Sequence, residues 1–242
     1  MKKLVLLVVF ITLVISICSA QTDKRNVVKV FPTSVLFGKA TIGYERVINE
    51  NGSFTFVLGL PTGTNSLKFE PKGFSEEFNA ISGNLKGLVL MPGYRFNLSR
   101  KGAPLGFFVE PYLKYEKFDL DFHADFIDDE NDHFLGNIDG NYSGLGAGIQ
   151  MGVLCLIADV VSLELSFLGF EAKVANADLT WTDESDEVDL DDVYDELESD
   201  FADIPLIGDK VEYEQGDSYV NANISKFILP GFRFAFSVGI AF

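Results

Sequence analysis

The sequence predicts an all-β fold: an eight-stranded antiparallel up-and-down transmembrane β-barrel with long extracellular loops. Three observations lead to this prediction. Residues 232–242 alternate strictly between large apolar side chains and small or polar ones. The same two-residue period, which is that of a β-strand, recurs in earlier segments. The connections between those segments alternate between short and long along the chain, as they do in transmembrane barrels.

The terminal strand shows how the two strand faces are assigned. One face carries Phe232, Phe234, Phe236, Val238, Ile240 and Phe242. The opposite face carries Arg233, Ala235, Ser237, Gly239 and Ala241. That second face is too small and too sparsely charged for a water-exposed surface. We therefore assign it to a narrow lumen and the large apolar face to lipid.

Applied along the whole chain, the two-residue period predicts eight strands. They cover residues 27–37, 39–48, 53–62, 86–98, 104–118, 141–156, 161–176 and 227–242. The inward face of the strand at 141–156 is nearly all glycine, which frees lumen volume for long side chains from across the barrel.

The connections give an independent check on this assignment. The predicted periplasmic turns are short and lie at 49–52, 99–103 and 158–160. Three of the predicted extracellular loops are long and lie at 63–85, 119–140 and 177–226, and the first, near Phe37-Gly38-Lys39, is tight. Within the last loop we expect a small hairpin that turns at Gln215-Gly216.

Interfacial aromatic belts are expected near the periplasm at Tyr44, Phe54, Phe96, Phe107 and Phe242, and near the outside at Tyr115, Phe118 and Trp181.

Residues 1–20 are predicted to be a signal peptide that precedes the barrel domain at 21–242. Two lysines lead into an apolar run that ends at Ile17, and Cys18-Ser19-Ala20 forms a small-x-small cleavage site. The apolar run is shorter than the roughly 20 residues of a membrane-spanning helix. The alternative is a lipoprotein acylated at Cys18, although Ile17 is larger than the residue that normally precedes a lipidated cysteine.

The charge balance and the few cysteines exclude several function classes. The 242 residues contain 36 acidic and 19 basic side chains, for a formal net charge of −17. Nucleic-acid binding needs clustered Lys and Arg, so no nucleic-acid partner is predicted. The 2 Cys and 2 His provide neither a disulfide framework nor zinc-ligand spacing. We predict no cofactor, apart from Ca²⁺ or Mg²⁺ at the acidic loops.

The opening strands carry a family resemblance. The segments Asn26-Val27-Val28-Lys29, Phe37-Gly38 and Ile42-Gly43-Tyr44-Glu45-Arg46 resemble those of a poorly characterised branch of the small eight-stranded OmpA/OmpX-like outer-membrane barrels. The signal peptide and the terminal Phe fit the same family. The resemblance implies a bacterial outer-membrane location among outer-membrane lipids, and it implies no substrate. The chain end resembles the signal read by the barrel assembly machinery, with Phe236, Val238, Ile240 and Phe242 as its residues.

Seven charged residues fall on the predicted inward faces. They are Glu45, Arg95, Glu110, Lys114, Glu116, Glu164 and Arg233. A charge buried in a narrow lumen is costly unless it is paired. We therefore expect a polar network of ion pairs that fills the barrel. The alternative is a gated ion path in which the pairs exchange partners.

Two predicted extracellular loops hold most of the negative charge. Residues 119–139 contain eight acids and residues 183–209 contain thirteen, with no Lys or Arg in either segment. Such runs are solvated surfaces, sites for divalent cations through their carboxylates, or contacts for another envelope protein, and the metal, if any, is unknown. A stripe from Leu190 to Phe201 at three- and four-residue intervals predicts an acidic amphipathic helix.

These observations predict a non-enzymatic outer-membrane barrel with a structural or interaction role, which presents acidic loops to a cation or an envelope partner. The first alternative is a small gated ion pore. The second is an outer-membrane lipid-modifying enzyme. His123 and His133 are its only imidazole bases, and no nearby nucleophile pattern accompanies them. We therefore predict no catalytic residues.

Overall fold

The computed structural model describes residues 24–36, 38–62, 78–99, 103–127, 133–183, 194 and 210–242. The predicted signal peptide lies outside these residues, as does the predicted amphipathic helix apart from Tyr194. No helix in the described part of the chain is long and apolar enough to cross a membrane.

Nine antiparallel strands form one up-and-down sheet that closes into a ring. The strands are β1 (Asn26–Val30), β2 (Lys39–Asn49), β3 (Gly52–Pro61), β4 (Phe78–Asn97), β5 (Gly106–Ile127), β6 (His133–Ile157), β7 (Val161–Asp183), β8 (Val211–Gln215) and β9 (Tyr219–Ala241). A short helix, α1 (Pro32–Val35), separates β1 from β2. From β1 to β7 each strand pairs with the next, and β9 pairs with both β7 and β1. The predicted all-β, antiparallel, up-and-down fold is confirmed.

β8 is an additional strand that the predicted count of eight did not include. Among the described residues it pairs with β9 alone, from Val211↔Ile224 to Gln215↔Val220. The expected turn is present, because the Gly216 amide donates to the Tyr219 carbonyl at 2.9 Å. The Glu214 carboxylate accepts a bond from the Tyr219 phenol and raises the pKa of that phenol by its negative charge. The second arm of this hairpin is continuous with β9, which begins at Tyr219 and not near 227.

The strands that flank the acidic segments are longer than predicted. β5 and β6 pair from Gly106↔Leu154 to Ile127↔His133, so most of the segment 119–140 is a β-hairpin and not a loop. Likewise, β7 extends to Asp183, so the loop predicted at 177–226 is shortened from both sides. The reason is that the acids alternate with apolar residues, as in 119–122, and so keep the strand period. β4 begins at Phe78 and not at 86, so the loop predicted at 63–85 is shorter as well.

β1 ends at Val30 and not at 37 as predicted. Pro32 has no amide hydrogen, so it cannot continue the strand ladder and instead begins α1. Phe31 turns into the closed sheet, where it is buried. Its phenyl group packs against the α-carbon of Gly43, where a Cβ atom would lie 2.9 Å from Phe31 Cε2. The first connection therefore contributes to the interior.

The two faces of the strands differ sharply in exposure. On β9, Phe232 is 67% exposed and Phe234 is 61% exposed, whereas Ala235 and Ser237 are buried. The same alternation holds along β2, β3 and β6. In the strand predicted at 104–118, the two-residue period puts Leu105 on the same outer face as Phe107, but Leu105 is buried. It precedes the first residue of β5, so the strand period does not apply to it.

The interior is arranged in layers, which can be followed along β5. Its inward side chains are, in order, Phe108, Glu110, Tyr112, Lys114 and Glu116. Phe108 belongs to an apolar cluster with Val27, Leu105, Leu154, Leu156 and Ala241. Tyr112 belongs to a second apolar cluster with Phe31, Val57, Met91 and Ala235. Apolar and charged layers therefore alternate along the axis of the closed sheet.

Candidate functional site: the charged interior

The first charged layer is centred on Arg95 of β4, which is 2% exposed. Its Nε and Nη2 atoms donate to Glu110 Oε2 at 2.8 and 2.6 Å. Nη1 donates to Glu45 Oε2 and Glu164 Oε2, each at 2.9 Å, and Nη2 also donates to Glu164 Oε1 at 2.9 Å. One guanidinium thus binds carboxylates from β2, β5 and β7.

Lys29 of β1 completes this group, which we name the inner cluster: Lys29, Glu45, Arg95, Glu110 and Glu164. The Lys29 ammonium donates to Glu45 and to Glu164. The Thr55 hydroxyl donates to the remaining oxygen of Glu110 at 2.8 Å. The guanidinium carbon of Arg95 lies 3.6 Å from the centre of the Phe108 phenyl group, a cation–π contact with the apolar layer below. All five charged side chains are buried.

The second charged layer, named the outer cluster, consists of Lys114, Glu116, Glu171 and Lys173. Lys114 binds Glu116 and Glu171 at 2.7 and 2.9 Å. Lys173 binds the second oxygen of Glu116 at 2.8 Å. The Tyr112 phenol donates to Glu171 at 3.0 Å. Two ammonium groups therefore face two carboxylates, and the formal charges of this cluster balance.

The structure brings six of the seven predicted lumen residues into these clusters. Glu45, Arg95, Glu110 and Glu164 are in the inner cluster, and Lys114 and Glu116 are in the outer one. Arg233 is different. Its Nε donates to Gln150 Oε1 at 2.9 Å, and no described carboxylate lies within ion-pair distance of it. The predicted network of ion pairs therefore omits Arg233.

The sequence reading missed Lys29, Glu171 and Lys173. Glu164 faces inward, and a regular strand would then place Glu171 and Lys173 outward. The pairing of β7 with β9 shifts register between Ser166 and Gly169. Even-numbered residues face inward before this shift, and odd-numbered residues face inward after it. The signal was available as consecutive apolar residues at 167–168 followed by Gly169. Lys29 lies two residues after Val27 in β1, so the two-residue period alone places both side chains on the same face.

Glycines on the inward face of β6 make room for aromatic side chains. A Cβ atom at Gly148 would lie 2.5 Å from Tyr112 Cζ, and one at Gly152 would lie 2.5 Å from Phe108 Cζ. Both aromatic residues belong to β5, the adjacent strand. The volume that these glycines leave is therefore used by a neighbouring strand and not, as expected, by side chains from across the lumen.

Replacing Gly148 by Ala is expected to destabilise the fold by about 1–3 kcal/mol, the usual cost of overpacking. The added methyl would also lie 2.7 Å from the Phe170 carbonyl, a backbone atom that cannot move freely. Urea unfolding monitored by circular dichroism would measure the loss. Ala147→Val, which adds bulk on the exposed face of the same strand, should cost much less. Equal costs would contradict the inward packing of Tyr112.

The chain end lies where the closed sheet meets its first strand. The Phe242 amide donates to the Asn26 carbonyl at 2.9 Å, and the Asn26 amide donates to the Phe242 carbonyl at 3.1 Å. The side chains of Ile240 and Phe242 are exposed on the apolar outer face, while Phe236 and Val238 are partly buried. The residues of the predicted assembly signal therefore lie on the outer face beside the joint.

The candidate metal and catalytic residues outside the interior are less organised. His123 is exposed and lies 3.9 Å from Asp121, and the side chain of His133 is outside the described residues. Across the β5–β6 hairpin, Asp121 pairs with Asp139. Within the described ranges no group of three or more His, Cys, Asp or Glu side chains could hold a metal ion.

Together these features define a class of protein: a closed antiparallel β-sheet with paired charges inside and large apolar side chains outside. No family model, no curated protein and no solved structure matches the chain.

Proposed function

We propose that this chain is a non-enzymatic outer-membrane β-barrel protein with a structural or interaction role. The observation that carries the proposal is the exposed apolar outer face. Large apolar side chains point away from the interior on every strand of the ring, including Phe54, Leu113, Leu145 and Phe232. Soluble monomers rarely expose a continuous apolar surface of this extent, whereas lipid would cover it.

The height of this apolar face supports the proposal. On β6 it extends from Leu145 to Ile157. At about 3.3 Å per residue and a strand tilt of about 40°, this segment spans roughly 30 Å. The hydrocarbon core of a bilayer is also about 30 Å thick. The resemblance of the opening strands to OmpA/OmpX-like proteins favours the outer membrane as the location.

The close packing around the inner cluster favours a structural role over the gated-pore alternative. The cavity beside the inner cluster has a volume of about 10 Å³, which is close to the space of one water molecule. Below it, Phe108, Leu154 and Leu156 form an apolar layer. An ion that crossed would have to separate buried pairs and then pass an apolar constriction.

The upper part of the sheet supports the interaction role. Beyond the apolar face, β5 and β6 continue with the acidic residues Asp119, Asp121 and Asp139. Asp119 and Asp121 are exposed by about half. A sheet that projects from the membrane with this composition would present negative charge to cations or to a basic envelope partner. The lipid-modifying alternative has less support, because the described contact of His123 is with Asp121 at 3.9 Å and not with a hydroxyl or thiol.

Site-directed labelling in vesicles tests the membrane insertion. In a Cys18→Ser, Cys155→Ser background, single cysteines would replace Ile149 on the apolar face and Asn141 on the projecting hairpin. We expect a membrane-impermeant thiol reagent to label the Asn141→Cys variant quickly and the Ile149→Cys variant very slowly. A bimane probe at 149 should be quenched by doxyl-labelled lipid. Equal labelling of both positions would refute insertion.

Planar-bilayer recording tests the choice between a filled barrel and a pore. The wild-type protein is expected to show no stable openings, because charged and apolar layers block its interior. Phe108→Gly removes the side chain on which Arg95 rests and is expected to allow small, irregular openings. Stable openings of the wild type that disappear in an Arg95 variant would instead establish the gated pore.

A further inference from the structure

The closed sheet has a break in its strand pairing beside β9. On one edge, β9 pairs with β8 along 220–224 and with β1 along 238–241. Among the described residues no strand pairs with the intervening edge at 225–237. The short helix α1 lies beside this edge. In a bilayer an unpaired strand edge is tolerated only where protein covers it or where it lines a water-filled cavity.

A cavity of about 200 Å³ lies at this break. Its walls come from α1 and from β2, β3, β4, β5 and β9, and include Ser34, Lys39, Lys114, Glu116, Arg233 and Phe234. Phe234 belongs to the apolar outer face, where its side chain is largely exposed. The cavity therefore reaches from the outer cluster to the lipid-facing side of the sheet.

Two cations in this cavity form no ion pair with a described carboxylate. Lys39 Nζ lies 4.8 Å from the centre of the Phe118 phenyl group and makes no ion pair with a described residue. Arg233 bonds to the neutral amide of Gln150 through Nε and likewise has no described carboxylate partner. Lys114, in contrast, is neutralised within the outer cluster. Lys39 interacts with Glu116 and Glu171 only at longer range, and Arg233 lines a small space together with Glu110 and Glu164 of the inner cluster. Both cations therefore keep hydrogen-bond donors that no described carboxylate accepts.

We propose that this cavity binds the anionic headgroup of a bilayer amphiphile, an inference that rests on the proposed membrane insertion. Lys39 and Arg233 contact the anion through charge-assisted hydrogen bonds, and the hydroxyls of Thr33, Ser34 and Thr41 line the same space. The acyl chains leave past Phe234 and lie on the apolar outer face. A small soluble anion would match the charges but would not use the opening toward lipid.

Native mass spectrometry of the protein released from non-ionic detergent micelles tests this site. The probes are dioleoyl phosphatidic acid, dioleoylglycerol with the same chains but no anion, and glycerol 3-phosphate with the anion but no chains. We expect phosphatidic acid to bind with a stoichiometry of about one per chain. The other two probes should bind at least about tenfold more weakly, because each lacks one half of the recognised chemistry.

Charge variants locate the binding. Lys39→Gln and Arg233→Gln are each expected to weaken phosphatidic acid binding about tenfold, in line with the loss of a charge-assisted hydrogen bond. Lys39→Arg should retain it. Lys117→Gln removes an exposed cation outside the cavity and is the matched control. Heat-dependent migration in gel electrophoresis verifies that each variant is folded.

Several outcomes would overturn the proposal. Equal binding of phosphatidic acid and dioleoylglycerol would remove the anion site. Equal affinity for phosphatidic acid and glycerol 3-phosphate would remove the lipid component. Unchanged binding in both glutamine variants would place any lipid elsewhere. A chain that inserts in the labelling experiment and binds no phosphatidic acid refutes this site alone, whereas one that binds it in micelles and fails to insert refutes the proposed function.

Discussion

Replacing Arg95 by Met is expected to destabilise the folded protein by about 3–5 kcal/mol, the usual cost of removing one partner from a buried ion cluster. Arg95 binds Glu45, Glu110 and Glu164, and all three carboxylates are buried. Lys29 would remain as the only described cation that binds any of them. Urea titration of the protein in lipid vesicles, monitored by gel migration, would measure the difference.

Two companion variants separate the loss of charge from the loss of side-chain packing. Arg46 follows Glu45 on β2 and is exposed on the opposite face of that strand. Arg46→Met therefore removes an exposed arginine and should cost less than about 1 kcal/mol. Arg95→Met combined with Glu110→Gln and Glu164→Gln leaves the Lys29–Glu45 pair and should recover much of the lost stability. If the single variant cost as little as Arg46→Met, the carboxylates would not be buried together.

Placing Lys at Ile149 is expected to cost about 2–4 kcal/mol in a bilayer, the value found for a basic residue on a lipid-facing barrel surface near the midplane. Ile149 is on the exposed face of β6, midway along the apolar segment. Refolding into lipid vesicles at a series of urea concentrations would give the free energy of unfolding for the wild type and the variant.

Leu36→Lys provides the matched comparison for Ile149→Lys. Leu36 is also apolar and is 83% exposed, but it follows α1 in a connection between strands. A lysine there should cost about 0–1 kcal/mol, because it would lie near the membrane–water interface. If the two substitutions had equal costs, the apolar face would not be in contact with lipid.

Much of the fold could be predicted because a single period governs most of the chain. Strict alternation at 232–242 correctly separated the exposed Phe232 and Phe234 from the buried Ala235 and Ser237. The same period placed Glu45, Arg95 and Glu110 on inward faces, where the structure brings them together. A two-residue period fixes the facing of every side chain as long as the pairing register is constant.

The predictions were wrong in two situations. In one, a register shift interrupts the two-residue period, and in the other, a high content of acidic residues indicated a loop where the period of a strand continues. The register shift between Ser166 and Gly169 reversed the facing of Glu171 and Lys173. The acidic composition predicts a loop at 119–140, although the acids at 119–125 alternate with apolar residues and pair regularly with β6. Composition therefore predicted solvent exposure correctly for Asp119 and Asp121 but predicted the backbone conformation wrongly.

The contact between the first and last strands has a consequence for the order of unfolding. β1 and β9 pair along 27–30 and 238–241, whereas β6 and β7 pair along 136–157 and 161–183. A short pairing opens at lower free energy than a long one, so local opening should begin where β1 meets β9. Amide protons of Val28 and Val30 should then exchange with deuterium before those at the centre of β6. The lifetime of the closed sheet would be governed by the five residues of β1 and not by the charged interior that holds its walls together.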